Sequence, residues 1–114
     1  MPFVVQEIPD IWVDVEIRTP GLEEPEALQA RWRLHPFEDY KARLEKLQHG
    51  ELGDEEIVEE DLLELAGAVT ADGKDLPHCP ELVAEVMNKT YARKALVLSW
   101  HKAQEGRAAA AAKN

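Results

Sequence analysis

From Asp10 to Leu34 the chain alternates between apolar and polar residues in two arms. In the first, Ile11, Val13, Val15 and Ile17 interleave with Trp12, Asp14, Glu16 and Arg18; in the second, Leu28, Ala30, Trp32 and Leu34 interleave with Gln29, Arg31 and Arg33. A period of two lets a strand bury one face and wet the other, so each arm reads as a strand. Paired antiparallel, they set acids against bases on the wet face, a small preference of about 0.2–1 kcal/mol per pair that favours one register. Thr19 to Glu26 is too long for a two-residue turn and predicts a wide hairpin tip. Residues 1–9 carry Phe3, Val4, Val5 and Ile8 and read as a short strand or an ordered lead-in, interrupted by Pro9.

After the hairpin the period lengthens. His35-Pro36 stops the second strand, and Phe37, Tyr40, Leu44 and Leu47 recur at helical spacing up to His49-Gly50. Asp54 reads as the N-cap of a second helix, with Glu55 and Glu56 in its first turn. Ile57, Val58, Leu62, Leu65, Ala66 and Val69 form its expected apolar stripe, while Glu59, Glu60, Asp61 and Glu64 are expected to face out. Ala71-Asp72-Gly73-Lys74-Asp75 is a turn. Pro80 opens a short third helix with Leu82, Val83, Val86 and Met87 inward. A fourth runs from about Tyr91, with Ala92, Leu96, Ser99 and Trp100 on one side and Ala95, Val97 and Leu98 widening the apolar arc. The fold expected is α+β, an N-terminal antiparallel β-hairpin packed on a small bundle of about four α-helices. Residues 1–106 are expected to form a single domain, and 107–114 an Ala-rich tail that is frayed or extends the last helix.

Composition narrows the class. A chain of 114 residues, 45% hydrophobic and 32% charged, suits one domain with one core. It lacks the roughly 18 consecutive apolar residues of a membrane span, and its first residues lack the pattern of a signal peptide, so a soluble intracellular protein is expected. A net charge of −10 argues against general nucleic-acid binding. From Lys89 onward there are six bases against Glu105 alone, leaving −15 on residues 1–88. That asymmetry reads as an acidic solvated helix plus a basic terminal one, or as a polarised surface for a basic partner.

The candidate chemistry is sparse. His35, His49, His78 and His101 fall in unrelated contexts, and His78 beside Cys79 is too little for zinc, which takes four ligands or three and a water. Aligning Gly73 as the sixth residue of a calcium loop puts Ala68, Thr70 and Cys79 at ligand positions, none a carboxylate. Cys79 reads better as a small residue capping the third helix than as a nucleophile. No phosphate loop or nucleophile elbow is present, so no enzyme, cofactor or metal is expected. The tryptophans are the remaining clue. Trp32 belongs to an apolar strand face; Trp12 lies on the face shared with Asp14 and Glu16, and Trp100 lies between Ser99 and His101. Trp12 reads either as a lip folded over the core edge or as an interface residue, and Trp100 divides the same way. The wide arc of the fourth helix that holds Leu96 is either deeply packed or shared with a second subunit. Trp12, Leu96 and Trp100 are thus the candidates for partner or self association.

Over residues 3–103 the order of features resembles the tail assembly chaperones of long-tailed bacteriophages and prophages. The matching pieces are PFVVQEIPDIWVDVEIRTPG, QARWRL, PFEDYKARLEKL, DEEIVEEDLLELAGAV, the turn ADGKDLP, PELVAEVM and YARKALVLSWHKA. The resemblance implies a non-enzymatic role in tail morphogenesis. Such a protein would bind the tape-measure protein, keep it soluble and help recruit tail tube subunits in the bacterial host's cytoplasm, and would be absent from the mature virion. A homo-oligomer fits this role; nucleic acid and membrane partners do not. Two further classes suit a small acidic α+β chain: a structural head–tail connector or tail-completion protein, and a regulatory or antitoxin-like binding module.

Overall fold

The computed structural model describes residues 1–106. Its element order is β1 (Asp10–Ile17), β2 (Glu26–Arg33), α1 (Phe37–Gln48), α2 (Asp54–Asp61), β3 (Leu62–Ala66), α3 (Pro80–Met87) and α4 (Thr90–Gln104). The fold is α+β: a three-stranded antiparallel sheet in the order β1-β2-β3, with four helices. The expected tail, 107–114, lies outside the described residues.

The hairpin forms as its alternation dictates. Val13 pairs with Ala30 and Val15 with Leu28, and all four are buried. Asp10 stands opposite Arg33 on the wet face, while Gln29 donates to Asp14 Oδ1 at 3.3 Å. The tip closes through Leu22 N–H to Thr19 carbonyl, 3.2 Å, with Gly21 at φ 89°. That positive φ is open to glycine at little cost. α4 packs on β1 and, less extensively, on β2. It buries Ala92, Leu96, Ser99, Trp100 and Ala103, so the expected inward face holds and extends one turn further.

The second expected helix is corrected. It stops at Asp61, and Leu62–Ala66 becomes β3, paired with β2 through Gln29↔Ala66, Ala30↔Leu65, Arg31↔Glu64 and Trp32↔Leu62. The register shifts between Arg31 and Trp32, leaving Leu63 as the extra residue of a bulge. Because of that bulge, Leu62 and Leu65, three residues apart, stand on the same sheet face and both reach the core. In the sequence that spacing is the signature of a helix; here a strand produces it. No helix-breaking residue marks the change. The open edge of β2 supplies main-chain partners that a continued helix would have left unpaired. Val69, expected at the end of the helical stripe, instead bridges Asp75 in the turn after β3 and is 54% exposed.

The caps shift slightly. Gly53, rather than Asp54, occupies the N-cap of α2, and Glu56 Oε1 accepts its N–H at 3.3 Å. Pro36 precedes α1 as its N-cap, and Phe37, expected on the apolar stripe, is 73% exposed. Cys79 does occupy the N-cap of α3, although its side chain makes no cap hydrogen bond there.

Candidate partner-binding surface

Two of the three candidate residues lie in the core. Leu96 and Trp100 are each 0% exposed, so as the chain stands neither offers a surface to a partner. Their neighbours explain the placement. Trp100 packs against Tyr40, ring centroids 5.4 Å apart, and its Nε1–H donates to Asp61 Oδ2 at 2.8 Å. One helical turn before it, Leu96 receives at its carbonyl a hydrogen bond from Ser99 Oγ, 2.6 Å, while Ser99 Oγ accepts from Trp32 Nε1, 2.9 Å. Both indole N–H groups are thus satisfied inside the protein, as burial of tryptophan requires.

Asp61 is the residue that sequence reasoning placed wrongly: expected to face out with the acids of its helix, it is 0% exposed. Its carboxylate accepts from His35 Nε2, 2.9 Å from both oxygens, as well as from Trp100. His35 follows β2, Asp61 ends α2 and Trp100 belongs to α4, so one carboxylate ties three segments together. Nearby, Gln104 takes the His35 N–H on Oε1, 2.9 Å, and gives Nε2–H to the Arg33 carbonyl, 2.7 Å. With Asp61 enclosed and its oxygens already engaged, this cluster is placed to hold the fold rather than to meet a substrate. The sequence carries no signal for it, because Asp61 falls midway along an expected helix whose apolar stripe runs on to Val69.

Trp12 lies at the surface, half-buried, with the Arg31 guanidinium 5.9 Å from its ring centroid. Arg31 also reaches Asp10 at 3.5 Å and Glu64 at 3.4 Å, so the wet sheet face is a charged layer lying over a tryptophan.

The apolar surface left open lies around α3. Leu82 is its one buried side chain, whereas Val83, Val86 and Met87, expected to point inward, are half-buried. On one flank a groove of about 640 Å³ is lined by Ile17, Leu28, Val69, Leu76, Val86 and Tyr91, with Glu26, Glu85 and Lys89 at its margin. On the other, a groove of about 410 Å³ runs between α2 and α3, lined by Val58, Leu62, Val83 and Met87 beside Glu55 and Glu59. His78 borders this second groove, where its Nδ1 accepts the Leu65 N–H at 3.1 Å and occupies part of the outer edge of β3.

Electrostatically, α4 is partly neutralised from within. Arg93 pairs with Glu55 and with Asp54, the latter at 3.4 Å, and Lys89 pairs with Glu85 at 3.0 Å. The hydrogen bond from Arg93 holds the Glu55 carboxyl below its ordinary range and, reciprocally, raises Arg93. Among the described residues, no group of three or more His, Cys, Asp or Glu side chains is arranged to hold a metal, and no helix is long and apolar enough to cross a membrane. No protein-family model, curated protein or solved structure matches the chain.

Proposed function

We propose that this chain is a non-enzymatic binding protein of the phage tail assembly chaperone kind, acting in the bacterial host's cytoplasm to keep the tape-measure protein soluble while tail tube subunits are recruited. The observation that carries this reading is the pair of apolar grooves flanking α3, bordered by Glu26, Glu55, Glu59 and Glu85. Grooves of this kind receive the apolar stripe of an amphipathic helix, and a charged margin keeps the resulting complex in solution. The resemblance in the order of elements supplies the biological setting. Since Leu96 and Trp100 are buried, the contact residues in this reading are Val83, Val86 and Met87.

The test is co-expression with the long helical protein encoded downstream. A long protein that is insoluble alone and coelutes with this chain in size-exclusion chromatography supports the reading. Failure to coelute, or the presence of this chain in purified virions, sinks it and favours a structural connector.

A further inference from the structure

Residues 1–9 form an exposed arm in front of β1, tied to the sheet at Pro9. All nine are exposed, with Phe3 and Val5 at 89%, Val4 at 61% and Ile8 at 51%. An apolar segment left this open marks a surface that something covers. β1 is the end strand of the sheet, and no described residue pairs with its outer edge. Leu34 donates its N–H to the Pro9 carbonyl at 2.9 Å, which makes Pro9 and Leu34 a hydrogen-bonded pair. By the alternation of an antiparallel ladder, the odd residues of β1 aim their main-chain groups at β2, and Asp10, Trp12, Asp14 and Glu16 aim theirs at the open side. The missing N–H of Pro9 therefore falls on the inner side and costs the open edge nothing.

We infer that two copies of this chain join edge to edge through β1, antiparallel about a two-fold axis at Pro9, each laying residues 3–8 along the open edge of the other. The parity of the apolar residues selects this arrangement. Phe3 and Val5 share odd numbering with Val13 and Val15, whose side chains enter the core. In this register Val5 stands opposite Val13 of the second copy and Phe3 opposite Val15, extending its apolar face by a further strand. Ile8, Gln6 and Val4 then exchange main-chain hydrogen bonds with Asp10, Trp12 and Asp14. Ile8 thereby comes to the wet face beside Trp12, which explains a tryptophan among carboxylates. Moving the axis to Asp10 would set two Asp10 carboxylates directly opposite, a like-charge pair that disfavours that alternative. Glu7 falls opposite Ile11, which is itself only half-buried. A two-fold contact of this kind is self-complementary and closed, giving a dimer with a continuous sheet rather than a filament.

The experiment is light scattering coupled to size exclusion on the full chain, together with Phe3→Asp/Val5→Asp and, in a Cys79→Ser background, Pro9→Cys. The wild type should run at twice the 12.9 kDa chain mass. The double substitution should run at the single mass with an unchanged circular dichroism spectrum, since neither side chain touches the core. Pro9→Cys should cross-link to itself under mild oxidation, because directly opposed, non-hydrogen-bonded residues lie about 4.5 Å apart at Cα. A Glu24→Cys control in the hairpin tip should not cross-link. A monomeric wild type, a dimer indifferent to the two aspartates, or cross-linking no better at Pro9→Cys than at Glu24→Cys would overturn the inference.

Discussion

The two helices that follow the turn at Gly73 are held in opposite ways. α4 is fastened by directional bonds along its length: Arg93 to Asp54 and Glu55, Ser99 to Trp32, Trp100 to Asp61, and Gln104 to the exit of β2. α3 is seated by Leu82 and has a groove on either flank. The first arrangement fixes a helix in one place, because each buried polar group is costly to leave unpaired. The second leaves apolar side chains that an incoming helix can cover. The contrast separates the part of the molecule that specifies the fold from the part available for binding.

Breaking the fastened side should have the largest effects. Trp100→Ala removes a fully buried indole and the Asp61 contact together, and should cost about 3–5 kcal/mol, read by chemical denaturation. Leu96→Asp places a charge in the core and should abolish the folded circular dichroism signal altogether. If either variant keeps wild-type stability while losing a partner, the assignment of these residues to the core is wrong. Next comes Asp61→Leu, which strands the His35 and Trp100 donors at about 1–3 kcal/mol each. On the same helix Glu59→Leu, at an exposed position, should change stability by less than about 0.5 kcal/mol. Equal effects of the two would mean that Asp61 is not the tie described above.

On the open side, Val86→Asp gives up only a partial contact with the core and should cost about 1–2 kcal/mol, well below Trp100→Ala, yet prevent capture of an apolar helix. Unimpaired capture by this variant would remove the groove from the account. The smallest effect belongs to Glu55. Its carboxyl titrates lower in the folded protein than in the unfolded chain, owing to Arg93. The contribution is therefore present above the unfolded value and lost as pH falls through the folded one. Thermal melts across that acid range should show a shallower decline for Glu55→Gln than for wild type. Identical slopes would place the acid sensitivity elsewhere.

The hairpin and α4 were legible because each buries a face with its own clean period. Val13, Val15, Leu28, Ala30 and Trp32 repeat every second residue, while Ala92, Leu96, Ser99 and Trp100 repeat at helical spacing. The α2–β3 junction was not. Leu62 and Leu65 face one way through a bulge at Leu63, and the partner that draws the segment into the sheet, β2, lies some thirty residues earlier in the chain. The same non-local pairing hides Asp61, whose partners are His35 and Trp100. Of the candidate contact residues, Trp12 alone lies at the surface. For Leu96 and Trp100 the wide apolar arc on α4 allows either deep packing or a shared surface, and the structure has the first, because Tyr40, Trp32 and Asp61, all distant in sequence, meet that face. The grooves beside α3 depend on what fails to cover it, which no local pattern records.

Native-state hydrogen exchange compares the two helices in a single sample. The amides of Leu96 to Trp100 should exchange only through global unfolding, and those of Val83 to Met87 at least about ten-fold faster through local opening. Equal protection of α3 and α4 would contradict the division of the molecule into a fastened half and an open one.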